Sequence, residues 1–155
     1  MSLESVRAFF AEKAPDIAVI ELATSTATVA EAADGHGVAR GQIAKTLSIR
    51  VGDQVALVVT RGDARLDNKK AKAFFGGKVR MLDLAEVEAL TGHPVGGVCP
   101  FGLRAPLPVC CDLSLKAFNE VVPAAGSTHS SVRIAPSRMA ELTDAAWIDV
   151  CAVPA

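Results

Sequence analysis

Two runs rich in apolar and β-branched residues, 44–51 and 54–60, stand on either side of Gly52-Asp53. The spacing predicts two strands joined by a tight turn, hence an antiparallel hairpin. That feature excludes an all-parallel sheet, because strands joined by two residues run in opposite directions. Around the hairpin the chain interleaves helices and strands. Leu3, Val6, Phe9 and Phe10 recur at helical spacing, and Pro15 closes that helix. Residues 17–22 alternate as a strand, and the capping box Thr28-Val-Ala-Glu31 opens a short helix ending near Gly35 or Gly37. Asp67 N-caps a helix through Phe74 and Phe75 that Gly76-Gly77 terminates. Residues 78–82 read as a strand and 84–90 as a helix. Further on, 109–113 and 131–135 read as strands, 136–142 as a helix and 147–153 as a last strand. The expected fold is α/β (α+β): a single compact domain over residues 1–155, with a mixed central sheet and flanking helices.

Composition narrows the function classes. A chain of 155 residues that is half hydrophobic and 21% charged buries one core and is not disordered. Sixteen Lys/Arg against seventeen Asp/Glu leave a net charge of -1, which excludes coating DNA or an acidic membrane by bulk charge. Aromatic residues are 5% of the chain and Tyr is absent, which argues against a platform that stacks successive bases. The start, Met1-Ser-Leu-Glu-Ser-Val-Arg, lacks a signal-peptide layout, and no apolar run reaches ~18 residues. A cytoplasmic protein with no membrane partner is expected. Cys99, Cys110, Cys111 and Cys151 form no C-x-x-C pair, so buried thiols are expected, with no metal site and no cofactor.

Five features could carry chemistry. Period two places Lys45 on one strand face with Leu47, Ile49 and Val51, and Thr46, Ser48 and Arg50 on the opposite, polar face. Lys45 either snorkels to water or holds a phosphate or developing oxyanion in a cleft. Gly92-His-Pro-Val-Gly-Gly-Val-Cys-Pro-Phe-Gly102 holds four Gly and two Pro in eleven residues. Such a loop binds an anion or carbonyl through main-chain amides, or is a tight structural crossover. It is neither a Walker loop nor a G-x-G-x-x-G fingerprint. Gly126-Ser-Thr-His-Ser-Ser131 could line a polar pocket, with His129 a surface residue or a general base. From Arg61 to Arg80 seven basic residues face two acidic ones, Asp63 and Asp67, whereas residues 1–34 hold two basic and six acidic. The basic stretch is a solvated helix face or a local phosphate-contacting patch. Cys99 invites a nucleophile reading, with His93 or His129 as partner, but no thiol-enzyme signature surrounds it and packing is the preferred role.

Taken together, Gly41-Gln-Ile-Ala-Lys45-Thr-Leu, Arg65-Leu-Asp67-Asn-Lys69-Lys, the Gly92–Gly102 loop, Leu107-Pro-Val and Ala125-Gly-Ser-Thr-His-Ser resemble the YbaK/EbsC family. These are the trans-editing domains associated with prolyl-tRNA synthetase. The segments occur in the family's order and span nearly the whole chain. The resemblance implies hydrolysis of the ester of a misacylated tRNA, without a metal or a covalent intermediate. Lys45 would hold the terminal nucleotide's phosphate, and amides near Gly96 and Gly97 would stabilise the oxyanion. A water assisted by the substrate's ribose hydroxyl would attack. Thr26, Thr46, Gly92, Pro100, Phe101, Gly102, Ser127, Thr128, His129 and Ser130 would bind substrate. Arg61, Arg65, Lys69 and Lys70 would contact tRNA phosphates. The implied partners are the acceptor end of a mischarged tRNA, tRNA-Pro first, and prolyl-tRNA synthetase, with no DNA.

Some relatives carry Gly-Lys-Arg-Gly where this chain has Gly126-Ser-Thr-His129, so the pocket wall is less basic. A small pocket lined by Gly92, Gly96, Gly97 and residues 127–130 is expected to admit alanyl or 2-aminobutyryl groups and to exclude prolyl. Cysteinyl, seryl and threonyl groups are also conceivable. The competing readings are a non-catalytic tRNA or synthetase accessory domain and a Cys99-dependent small-molecule esterase. Retention of Lys45 together with the glycine loop argues against the first.

Overall fold

The Gly52-Asp53 turn forms as its spacing requires, with Val51 opposite Gln54 and the ladder running unbroken to Ala44 opposite Arg61. The computed structural model describes residues 2–154. In chain order, α1 (Ser2–Lys13) leads to β1 (Ile20–Glu21) and α2 (Val29–His36). The hairpin follows as β2 (Ile43–Val51) and β3 (Gln54–Arg61). Next come β4 (Arg65–Leu66), α3 (Asn68–Phe75), β5 (Arg80–Met81) and α4 (Leu84–Thr91). Beyond the glycine loop lie β6 (Val109–Asp112), β7 (Val122–Pro123) and β8 (Ser130–Ser131). The chain ends with α5 (Pro136–Thr143), β9 (Ala146–Ile148) and β10 (Cys151–Ala152).

The main sheet has the order β5-β2-β3-β6-β9, with β7 also docked on β2. β2–β3 and β2–β5 are antiparallel, whereas β2–β7, β3–β6 and β6–β9 are parallel. This is the expected mixed α/β domain. Period two distributes its core. Leu57 and Val59 of β3, with Val109 and Cys111 of β6, join Val6, Phe10, Phe101 and Met139 on one face. Val58 and Cys110 instead join Ile49, Ala71 and Val150 on the other.

The predicted caps form. Thr28 accepts from the Glu31 amide, Asp67 from the Lys70 amide, and Gly37 and Gly76 end their helices in the left-handed region.

Three expected strands are shorter than their patterns suggested. Within 17–22 only Ile20–Glu21 pairs, because its partner β8 is two residues long. Within 78–82 only Arg80 and Met81 pair, opposite Arg50 and Ile49. Within 131–135 the ladder is reduced to β8 and isolated bridges at Ser131 and Ile134.

The expected single strand over 147–153 is two strands in different sheets. Ala146–Ile148 extends the main sheet on β6, while Cys151–Ala152 pairs with β4. The physical cause is Asp112. Its carboxylate, 2% exposed, accepts the Val150 amide at 2.9 Å and the Ser114 amide at 3.0 Å. That contact pulls the chain out of the ladder between the two strands. Asp112→Ala leaves two amides without their acceptor. Urea unfolding should show a loss of about 2–3 kcal/mol; an unchanged midpoint would refute this role.

Candidate active site

On the edge of β2 away from β3, two strands of opposite direction dock at separate places. β7 pairs at Ile43 and Ala44, and β5 pairs at Ile49 and Arg50. The Leu82 amide adds one bond, to the Ser48 carbonyl, at 3.0 Å. Between these contacts residues 45–47 meet no strand on that edge. A cavity of about 240 Å³ opens there. That is well above the ~10–15 Å³ of such space that one water needs, and it gives room for a small aminoacyl group. Residues 26–29 and Ala32 form one wall, Leu82, Leu84 and Val87 another, and Val95, Gly96 and Val98 of the glycine loop a third. Met81, Leu84 and Val95 are exposed apolar side chains on its rim.

Lys45 lies on this edge. As predicted, it shares its strand face with Leu47, Ile49 and Val51, whose side chains belong to the second core. Its ammonium is not simply solvated: Nζ donates to the Ala64 carbonyl at 2.6 Å. Burial lowers the lysine's pKa, Cys151 and the Asp63 carboxylate oppose that shift, and the nearby Arg65 cation adds to it. One of three ammonium donors is therefore committed and the others remain for a ligand. Thr46 and Ser48 occupy the opposite face, toward the cavity and the first core.

The glycine loop approaches by main-chain contact. A Cβ on Gly96 would come within 2.9 Å of the Ala27 Cβ, and its φ is +89°. A Cβ on Gly97 would come within 2.7 Å of the Ser127 nitrogen. Only glycine fits either position. The two amides differ. The Gly97 N–H is committed to the Pro94 carbonyl at 2.9 Å, and Gly126 donates to the Gly97 carbonyl. The Gly96 N–H has no partner among the described residues. Of the expected pair of oxyanion donors, one amide is thus available.

The remaining candidates divide. Thr26, Lys45, Thr46 and Gly96 border the same cavity. Gly92, Gly102 and Ser127 border a second depression, of about 700 Å³, beside the start of α1. Pro100 and Phe101 are buried, and the Phe101 ring packs on Phe10 with centroids 4.7 Å apart. Ser130 is buried and donates to the Ala125 carbonyl, while Thr128 and the exposed His129 bond each other at 3.0 Å. Of the expected lining of glycines and residues 127–130, Gly96 borders this cavity and Gly92, Gly97 and residues 127–130 do not. Mostly aliphatic side chains do, with Thr26, Thr46, Ser48 and Ser131 among them. Sequence reasoning placed Ser48 on the polar face without assigning it to a site, and overlooked the β5–α4 wall.

Of the proposed phosphate contacts, Arg61 makes two bonds to Asp63 and stacks on Phe118, 4.9 Å from the ring centroid. Lys70 pairs with Asp149. Arg65 and Lys69 are exposed and form no ion pair among the described residues.

Cys99 is fully buried and burial pushes its thiol up to about 12, so no thiolate exists at neutral pH. Its neighbour His93 is equally buried. Nε2–H donates to the Phe101 carbonyl at 2.7 Å, which leaves Nδ1 to accept the Ser2 hydroxyl. The pair that looked like a nucleophile and base is a brace inside the glycine loop. Among the described residues no group of three or more His, Cys, Asp or Glu converges as a metal site, and no helix is long and apolar enough to cross a membrane.

A family model described as the aminoacyl-tRNA editing domain matches residues 23–142. The chain belongs to the aminoacyl-tRNA editing domain family. This bears out the resemblance to YbaK/EbsC proteins. The editing-domain chain is 49% identical to "Uncharacterized protein YwhH" of Bacillus subtilis (strain 168), covering 97% of itself and 98% of that protein. It is 33% identical to "Putative Cys-tRNA(Pro)/Cys-tRNA(Cys) deacylase EbsC" of Enterococcus faecalis, over 76% of itself and 73% of the relative. A solved structure described as "a putative trans-editing enzyme for prolyl tRNA synthetase" superposes with a TM-score of 0.89 at 35% identity, covering 96% of each chain.

Burial lowers the pKa of His93, and that of His36 by the same cause first, with Arg133 adding to it. A histidine kept neutral in the fold contributes stability that is complete above the unfolded pKa of about 6.5 and is lost as pH falls below it. Urea midpoints should therefore drop between pH 7.5 and 5.5. His93→Gln should shrink the drop, leaving the part due to His36. A drop of undiminished size in the variant would count against His93 as its source.

Proposed function

We propose that this chain is a trans-editing deacylase. It hydrolyses the ester joining a small amino acid to the terminal adenosine of a mischarged tRNA, with tRNA-Pro as carrier and prolyl-tRNA synthetase as the source of the error. One observation carries the reading: Lys45 and Gly96, whose amide has no partner among the described residues, border one small cavity at an unpaired strand edge. Alanyl and 2-aminobutyryl groups fit that volume, as do cysteinyl, seryl and threonyl.

In this scheme the ester lies across the β2 edge. The aminoacyl group enters the cavity on the Thr46 side, and the terminal phosphate meets Lys45 on the Ala64 side. Lys45 and Arg65 lie close enough for the arginine to lower the lysine's pKa. Two cations held close repel each other, and an arriving phosphate relieves the repulsion. The Gly96 amide donates to the carbonyl oxygen as negative charge develops there. The water oxygen bonds to the carbonyl carbon, the ester C–O bond breaks, and the ribose oxygen leaves with a proton. The neighbouring ribose hydroxyl assists the water. No protein side chain is acylated. Catalysis rests on positioning and electrostatics. The tRNA phosphate contacts fall to Arg65 and Lys69, since Arg61 and Lys70 already hold carboxylates.

Lys45→Ala should keep the fold but slow single-turnover deacylation of mischarged tRNA-Pro about ten- to a hundredfold, the equivalent of roughly 1.5–3 kcal/mol for a lost charge-assisted bond. Wild-type rates in a folded variant would sink the assignment. A wild-type protein that binds mischarged tRNA without hydrolysing it would be an accessory domain instead.

Reversing Arg65 and Lys69 to Glu should raise KM more than it lowers kcat, and should flatten an already shallow salt dependence. Unchanged KM would make this face a solvated surface.

A further inference from the structure

Just after β3 the chain turns beside Lys45, and the turn carries a carboxylate that the scheme above does not use. The Ala64 amide closes this turn on the Arg61 carbonyl at 3.1 Å, with Gly62 and Asp63 between them. A Cβ on Gly62 would come within 2.3 Å of the Arg40 carbonyl oxygen, so the turn lies against the segment that leads into β2. Ala64 accepts the Lys45 ammonium. Asp63 is close enough for its charge and that of Lys45 to act on each other. Yet no ion pair joins the two among the described residues.

Arg61 accounts for the separation. Nε donates to Asp63 Oδ1 at 2.6 Å and Nη2 to Oδ2 at 2.9 Å, so both carboxylate oxygens are held. The pairing of β2 with β3 puts Arg61 with Ala44 on one strand face and Lys45 with Thr60 on the other. On its own face the guanidinium is seated over the Phe118 ring. Gly41 closes in on both partners: a Cβ there would come within 2.8 Å of Arg61 Nη2 and 3.0 Å of Asp63 Oδ2. With its side chains 18% and 29% exposed, this pair is not a loose surface contact.

Two demands meet at Lys45. Burial disfavours its charge, Arg65 of β4 repels it, and Cys151 of β10 faces it as well. A carboxylate nearby helps to keep the ammonium charged. A carboxylate bonded to it would occupy the donors that an arriving phosphate needs.

Resting on the editing reading above, we propose that Arg61 is a positioning residue that acts through Asp63 on Lys45. It holds the carboxylate beside the ammonium and off it, so that Lys45 stays charged and open to the substrate's phosphate. Arg61 is then a clamp on the protein's own anion and not a tRNA contact.

The test is a double-variant cycle over Arg61→Ala and Asp63→Asn with two readouts. One is the Lys45 pKa, followed by NMR of the lysine Cε signals and identified by the signal lost in Lys45→Ala. The other is kcat/KM for deacylation of alanyl-tRNA-Pro. Arg61→Ala should raise the Lys45 pKa, because Asp63 turns onto the ammonium. Its kcat/KM should fall roughly fivefold, about what one partly exposed ion pair contributes. Asp63→Asn should lower the Lys45 pKa. In the Asp63→Asn background, Arg61→Ala should bring no further rise in pKa and no further loss of activity. Loss of Asp63 therefore rescues Arg61→Ala, which a merely structural arginine does not explain. Arg61→Lys lacks the fork that grips both oxygens and should show the same signs at smaller size, which decides the matter if Arg61→Ala does not fold.

An equal pKa rise in the Asp63→Asn background would mean that the guanidinium simply repels Lys45, and would overturn the proposal. A loss of activity that Asp63→Asn does not restore would make Arg61 a tRNA contact and overturn it too. Wild-type protein that cleaves no ester, with the NMR cycle as expected, would overturn the deacylase reading and uphold the clamp.

Discussion

The site depends on one sheet edge being shared by two strands that run in opposite directions. β7 and β5 dock on β2 from either end and stop short of each other. A continuous neighbour would have consumed the backbone groups of residues 45–47 and filled the space that the cavity occupies. Because β3 pairs along the whole opposite edge, the exposed stretch is held straight and has no freedom to collapse. The gap is therefore a rigid opening in a sheet.

Charge is arranged around that gap asymmetrically. The Lys45 ammonium sits on the second-core face of β2, tied to the Ala64 carbonyl and facing Asp63. The other face of the strand gives only neutral groups to the cavity. Among the described residues that border the cavity, the one charged side chain, Lys45, thus belongs to the strand face opposite Thr46 and Ser48. Stiffness in the loop that closes the space comes from His93, whose ring bonds both the Phe101 carbonyl and Ser2.

The parts of this architecture set by local pattern were legible in the sequence. Turn length specified the hairpin, hydroxyl and carboxylate caps specified helix starts, and period two put Lys45 with Leu47 and Ile49. Contacts made across long separations were not legible. Nothing local to residues 147–153 shows that Asp112, far earlier in the chain, breaks the strand in two. Thr46 and Ser48 read as a polar outer face because alternation alone reports polarity and not what covers it. The segment around α2 and the region from Leu82 to Val87 cover it here. The glycine loop announced close backbone approach. Which of its amides would already be used was decided by the Pro94 turn.

The contact at Gly96 divides the cavity into a part made of main chain and a part made of side chains. Where Gly96 presses against Ala27, a φ of +89° and the 2.9 Å left for a Cβ admit no side chain. That wall holds its shape whatever neighbouring residues do. The walls supplied by β2 and the segment before α2 are made instead of side chains, Thr26, Thr46 and Ser48 among them. Substitutions there would change the lining of the cavity and leave its main-chain wall as it is.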